Sequence, residues 1–398
     1  MGLNSTPAAD RVHIGIFGKR NAGKSSVINA ITGQNLAIVS DIMGTTTDPV
    51  SKAMELLPLG PVVIIDTPGL DDEGKLGRLR VQKSYQVLNK TDIAVLVVDA
   101  VQGILPEDEE LLQRFRDKDI PYLIVHNKTD LTPHILRKET DREIWVSAAS
   151  GENIHALKEK ISAMVPSSAS EVRIVADLLS PSDFVVLVVP IDSAAPKGRL
   201  ILPQQQTIRD ILEADAAAIV IKEHELKETL KSLGKKPKLV ITDSQAFEKV
   251  SDETPGDILL TSFSILFARH KGILEDTVRS VRTVDNLEDG DKVLVCEGCT
   301  HHRQCDDIGT VKIPRWLQAH TGKKLDFSFV SGTEFPDDLS AYKFIVHCGG
   351  CMLNEREVKY RMKCARDQDI PMTNYGILIA FIHGILKRSL EPFPDISL

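Results

Sequence analysis

The chain has 398 residues, 42% of them hydrophobic, with 48 Lys and Arg set against 56 Asp and Glu, which is enough apolar mass for roughly two or three packed domains. A net charge of -8 leaves no overall basic field for a phosphate backbone, so no nucleic-acid partner is expected. Apolar runs such as Ile93 to Val98 and Phe184 to Pro190 are too short for a bilayer, and Met1 to Asp10 lack the apolar stretch of a secretory signal. A cytoplasmic protein without membrane contact is the expectation. All six cysteines fall between Cys296 and Cys364, and in a reducing compartment that placement favours metal ligation or redox chemistry over disulfides.

In chain order, strand-like runs at Val12 to Phe17, Val62 to Ile65, Ile93 to Val98, Tyr122 to Val125 and Ile144 to Val146 alternate with helical segments, the signature of a doubly wound α/β domain. A polar, proline-marked stretch at Pro166 to Glu171 reads as a linker. A second α/β layer follows, with strands at Phe184 to Val189, Ala218 to Val220, Leu239 to Ile241 and Ile258 to Leu260. It carries no catalytic constellation, so scaffolding or self-association is its expected role. A third begins near Ser264, with strands at Lys292 to Val295, Leu325 to Val330 and Lys343 to Val346. The expected fold is α/β, three successive doubly wound or mostly parallel domains over residues 1–168, 169–263 and 264–398, the first a P-loop nucleotide-binding domain.

Gly18-Lys-Arg-Asn-Ala-Gly-Lys-Ser25 follows a strand and precedes a helix, the context a P-loop requires. Its amides and the helix N-terminus cradle phosphates, Lys24 neutralises β/γ charge, and the Ser25 hydroxyl ligates magnesium, with Ser26 beside it. Asp66-Thr-Pro-Gly69 offers a carboxylate to the magnesium shell and the Gly69 amide to a γ-phosphate. Asn127-Lys-Thr-Asp130 selects guanine, because the Asp130 carboxylate can accept from both N1–H and the 2-amino group. Ser147-Ala148-Ala149 presents the Ala148 amide to guanine O6. GTP and Mg2+ are the expected ligands; Gly18, Asn21, Gly23, Lys24, Ser25, Ser26, Asn127, Lys128, Asp130, Ser147 and Ala148 are the expected binding residues.

These residues resemble the translation-factor-like GTPases, and among them the TrmE/Era group, whose switch motif is matched by Gly44-Thr-Thr-Thr-Asp48 with Thr47 in place of the family's arginine. The resemblance implies that Thr46, with Thr45 next in line, is the magnesium-binding switch threonine, and that Lys24, Thr46, Asp66 and Gly69 carry hydrolysis. Leu70 stands where Ras-like enzymes have a water-orienting glutamine, so slow turnover is expected. By the same resemblance Asn21 helps hold a K+ ion that stimulates it.

Cys296-Glu-Gly-Cys299-Thr-His301 and His347-Cys348-Gly-Gly-Cys351 each follow an expected strand end, where open parallel sheets gather ligands. Paired C-x-x-C units read as a four-cysteine zinc site, whereas a cluster held by Cys299, Cys348 and Cys351 leaves Cys296 a bystander and one iron open. The residues alone leave both readings standing, and Cys305 and Cys364 fall outside either.

The cysteine/histidine set, placed beyond a TrmE/Era-like GTPase domain and an intervening α/β domain, resembles the [FeFe]-hydrogenase maturation GTPases of the HydF family over essentially the whole chain. That resemblance implies a GTPase that is also a scaffold and carrier for the two-iron precursor of the hydrogenase active site. It implies a [4Fe–4S] cluster on Cys299, Cys348 and Cys351, with His301 and His347 as ligands or supporting donors; Asp192, Glu297 or water remain open as the fourth ligand. A homodimer, two radical-SAM maturases and apo-hydrogenase are the implied partners. The alternative is a tRNA- or ribosome-associated assembly GTPase with a zinc module, which lacks a basic RNA-binding tail here.

Overall fold

The computed structural model describes residues 7–33, 49–69, 81, 83–134, 140–165, 173–190, 200–298, 307–332 and 334–396. Thr45, Thr46, Thr47, Leu70, Asp192, Cys299, His301 and Cys305 lie outside the described residues. The chain folds into two compact units, Met1–Ser167 and Ser168–Leu398. No helix among the described residues is long and apolar enough to cross a membrane.

The first unit is built on a six-stranded sheet in the order β2-β3-β1-β4-β5-β6, from β1 (Val12–Phe17), β2 (Val50–Leu56), β3 (Gly60–Asp66), β4 (Ile93–Asp99), β5 (Tyr122–Asn127) and β6 (Glu143–Trp145). All neighbours pair in parallel except β2 with β3. In β4, every side chain before Asp99 is buried, because separate apolar cores cover the two faces of the sheet. β2 lies outside the strands expected from apolar runs. It is an edge strand in which Lys52, Met54 and Leu56 are less exposed than Ser51, Ala53 and Glu55, and its polar residues dilute the apolar signal.

The helix Pro106–Asp117 shows how local sequence sets an element. Proline opens it, the Leu105 amide donates to the Asp108 carboxylate at 3.0 Å, and acids in the first turn oppose Arg114 and Arg116 in the last. Its Phe115 ring packs 5.4 Å from Phe17 and 5.8 Å from Tyr122.

The second unit holds two four-stranded, wholly parallel sheets. One runs β10-β9-β7-β8, from β7 (Phe184–Val188), β8 (Ala217–Ile221), β9 (Leu239–Thr242) and β10 (Leu259–Ser262). The other runs β12-β11-β13-β14, from β11 (Lys292–Glu297), β12 (Asp326–Ser331), β13 (Phe344–His347) and β14 (Met372–Asn374). One continuous apolar core joins them, including Val186, Ile241, Leu266, Leu294 and Ile345. The helix Phe263–His270 follows β10 directly, started by the Ser262 hydroxyl accepting from the Ile265 amide at 3.3 Å. It meets the helix Tyr375–Ile382 at Gly376, where an added Cβ would stand 2.3 Å from Ser264 Cβ. Only glycine permits that approach. The expected division at 263/264 therefore falls inside the first turn of that helix, which belongs to the shared core.

His126 in β5 stacks on Trp145 in β6 with centroids 4.2 Å apart, and its buried ring nitrogens have no hydrogen-bond partner. Burial pushes its pKa below 6.5, although Glu143, 3.5 Å away, pulls the other way. Because the folded-state pKa lies below the unfolded one, this contribution to stability is complete above about pH 6.5 and is lost as pH falls further. His126→Phe keeps the stacking and removes the titration. Thermal melts at about pH 7 and about pH 5 should therefore show a smaller acid-induced loss for the variant than for the native chain.

Candidate functional site

The β1-to-helix connection folds into a phosphate-sized loop because three residues take positive φ: Gly18 (138°), Asn21 (59°) and Gly23 (92°). A Cβ on Gly18 would lie 2.2 Å from the Val97 carbonyl oxygen, so the loop passes the neighbouring strand only without a side chain. The helix Lys24–Thr32 begins immediately afterwards. Lys24 Nζ spans the loop, donating to the carbonyls of Gly18 at 2.9 Å and Lys19 at 2.8 Å. The Ser25 hydroxyl donates to Asp66 at 3.3 Å, so the two expected magnesium ligands are adjacent. Burial pushes the Asp66 carboxyl up, opposed by Lys24 and Ser25. Ser26 lies in the first helical turn, and Gly69 follows Asp66 by three residues in the same described stretch.

The residues expected to recognise the base converge at the end of β5. Asn127 joins the two halves of the site: its Nδ2 donates to the Ala22 carbonyl at 3.0 Å and its Oδ1 accepts from the Ala148 amide at 3.0 Å. Lys128 turns the chain with φ 69° and places Nζ 2.7 Å from Asp99. Asp130 is exposed and is oriented by the buried Ser147 hydroxyl, which donates to Oδ1 at 2.6 Å. Two supports were not legible as motif: Asp99, and Glu152, which accepts from Thr129 Oγ1 at 2.7 Å. Pairing of β4 with β5 brings Asp99 opposite Asn127, a register that spacing alone does not reveal.

In the second unit, β11 and β13 pair so that Cys296 stands opposite His347, and the Cys348 amide donates to the Cys296 carbonyl at 2.8 Å. Gly298 and the Cys348–Cys351 loop therefore lie at the same, carboxyl end of the sheet. The Cys348 sulfur accepts from the amides of Gly298 at 3.0 Å and Gly350 at 3.4 Å, an arrangement suited to an anionic thiolate. Burial pushes the Cys348 thiol up against those two amides, and pushes Cys351 up as well, with Lys271 opposing both. Among the described residues no three ligand-type side chains converge; Cys299 comes directly after the last described residue of its segment, Gly298.

His347 is buried with both ring nitrogens engaged. Nδ1 donates to the Cys348 carbonyl at 2.7 Å, and Nε2 accepts from Arg361 Nη1 at 3.1 Å. Burial, then the neighbouring Arg361 charge, push its pKa down to about 3. Arg361, 0% exposed, also reaches Glu357 at 2.9 Å and the Gly332 carbonyl at 2.8 Å. Cys296 sits wholly inside the apolar core, and burial raises its thiol far above the usual range. On the other side of β11, Tyr375 donates to the buried Glu297 carboxylate at 3.4 Å. The Glu357/Arg361 spacing of four was the one sequence signal for this support.

Family models match nearly the whole chain in three segments: a 50S ribosome-binding GTPase over residues 13–128, the hydrogen maturase F dimerization domain over 174–272, and the hydrogen maturase F tetramerization domain over 275–392. Among curated proteins, the tRNA modification GTPase MnmE of Thiobacillus denitrificans is 37% identical over 147 residues, 37% of this chain and 32% of that protein. The MnmE of Clostridioides difficile is 36% identical over 157 residues, 38% of this chain and 34% of that protein. The chain thus spans about a third of the length of these relatives. An Era variant from Aquifex aeolicus, solved with GDP and AlF4-, shares 20% identity at a TM-score of 0.34, over 56% of this chain and 98% of that one. The GTPase family model over residues 13–128 and the similarity to the MnmE proteins make the first unit a GTPase domain.

If Asp130 reads guanine, Asp130→Asn loses a charge-assisted bond of about 1.5–3 kcal/mol, weakening GDP binding by roughly 10- to 100-fold. The asparagine amide can instead donate to the 2-oxygen of xanthine. Titration with fluorescent GDP and XDP should show preference reversed in the variant.

Proposed function

Because the chain belongs to the hydrogen maturase F (HydF) family, we propose that it hydrolyses GTP and serves as an iron–sulfur scaffold that carries the two-iron precursor of the [FeFe]-hydrogenase active site. The observation that carries the scaffold reading is the Cys348 sulfur, which receives the amides of Gly298 and Gly350 at the carboxyl ends of β11 and β13, Gly298 being the residue before Cys299 in the sequence. Cys299, Cys348 and Cys351 are the proposed ligands of a [4Fe–4S] cluster, a group that supplies an open iron and a redox-active anion when bound. His347 holds the loop rather than the metal in this reading, since its two nitrogens are already committed; His301 remains a candidate fourth ligand.

In the GTPase unit, Lys24 neutralises phosphate charge, while Ser25, Asp66 and Thr46 surround Mg2+ and Gly69 contacts the γ-phosphate. Asn21 is proposed to help hold K+, in place of charge stabilisation by an arginine. Self-association is supported by the domain models and by β8, an edge strand among the described residues in which Val220 is 42% exposed. Two radical-SAM maturases and apo-hydrogenase are the proposed partners, in the cytoplasm. The tRNA- or ribosome-directed alternative rests on relatives that match the first unit alone. Its four-cysteine zinc site would need Cys296, which is enclosed in the core.

Anaerobic reconstitution with iron and sulfide, followed by metal analysis and EPR of the reduced protein, tests this reading. Cys348→Ser and Cys351→Ser should lose the cluster signal while Cys296→Ala retains it; stoichiometric zinc that depends on Cys296 would contradict it. GTP turnover should be faster in KCl than in NaCl, and Asn21→Ala should abolish the difference.

A further inference from the structure

The Cys348–Cys351 loop is organised around a buried ammonium from a distant part of the chain. Lys271 directly follows the helix Phe263–His270, and its side chain is 6% exposed. Nζ donates to the Gly350 carbonyl, 79 residues away, and to the Leu353 carbonyl at 3.1 Å. The Leu353 amide returns to the Gly350 carbonyl at 3.0 Å, so the cation clasps both ends of a tight turn. Gly350 has φ 62°, and a Cβ built there would lie 3.6 Å from Lys271 Nζ and 3.1 Å from Val358. The ammonium thus lies directly against the peptide between the two cysteines.

With Nζ held at the Gly350 and Leu353 carbonyls, this buried charge stands beside whatever anion the two cysteines hold, where a low dielectric leaves it little screened. We infer that Lys271 is a positioning residue for the thiolate site, one that both fixes the loop and raises the reduction potential of an anionic cluster bound there. The inference rests on the scaffold function proposed above. Reduction adds an electron beside a fixed positive charge in a medium of low dielectric, so the cation favours the reduced state. Its removal favours the oxidised state. Because Lys271 emerges from the helix that joins the two sheets of this unit, the charge is positioned by the shared core and not by the loop it serves.

The test is an EPR-monitored redox titration of the full-length chain, reconstituted anaerobically with iron and sulfide, as wild type, Lys271→Met, Lys271→Gln and Lys271→Arg. In the Met and Gln variants the reduced-to-oxidised ratio at a fixed poise should fall by about tenfold, equivalent to about 59 mV for one electron, with Arg close to wild type. If Met and Gln take up no cluster and Arg does, the requirement for charge is equally supported. Unchanged potentials in the Met and Gln variants, or failure of Arg alongside them, would overturn the inference. A wild-type chain that takes up no cluster would instead sink the scaffold function itself, which separates the two failures.

Discussion

Parallel strand pairing is the constraint on which both sites depend. In an all-parallel pair the carboxyl ends lie together, so chain segments that are distant in sequence leave the sheet side by side. Ile16 stands opposite Asp66, which places the phosphate loop after β1 beside the carboxylate that ends β3. Asp99 stands opposite Asn127, which supports the base-recognition turn. In the other unit, Cys296 opposite His347 does the same for two cysteine-bearing segments. One topological rule brings Ser25 beside Asp66 in one unit and the residues flanking two cysteine-bearing segments together in the other.

The two sites differ in how charge is housed. In the GTPase unit, Lys24 donates to the Gly18 and Lys19 carbonyls and Ser25 to the Asp66 carboxylate. Around Cys348 the polar groups are buried: Lys271, Glu297, His347, Glu357 and Arg361 all lie in the interior. Such groups persist only where hydrogen bonds and opposite charges offset desolvation. Arg361 does so through Glu357, His347 and the Gly332 carbonyl, which also fixes the His347 ring so that Nδ1 points at the Cys348 carbonyl. The loop that bears the cysteines is therefore held from both sides before any metal is considered.

Much of this was legible in the amino-acid sequence, for physical reasons. Buried parallel strands announce themselves as unbroken β-branched runs, and the phosphate loop needs glycine where φ is positive. Asn127, Asp130 and Ser147 are close in chain to the turns that position them. β2 was not legible, because an edge strand tolerates Ser51 and Glu55 on its exposed face and Lys52 among the less exposed residues of the other. Nor were Lys271 and Arg361: each acts through a contact made only in the folded chain, across 79 residues in one case and 14 in the other. The continuous core of the second unit was hidden for the same reason, since each sheet alone reads as a separate α/β layer while the Ser264 and Gly376 contact that joins them is a property of packing.

In the proposed function the second unit presents thiolates for an iron–sulfur cluster, with a GTPase in the first. Native mass spectrometry of the chain purified without exposure to oxygen measures this most directly. The account predicts a mass increment per chain equal to one [4Fe–4S] unit, lost when Cys348 is replaced by serine. An increment of a single zinc ion, lost when Cys296 is replaced, would contradict it.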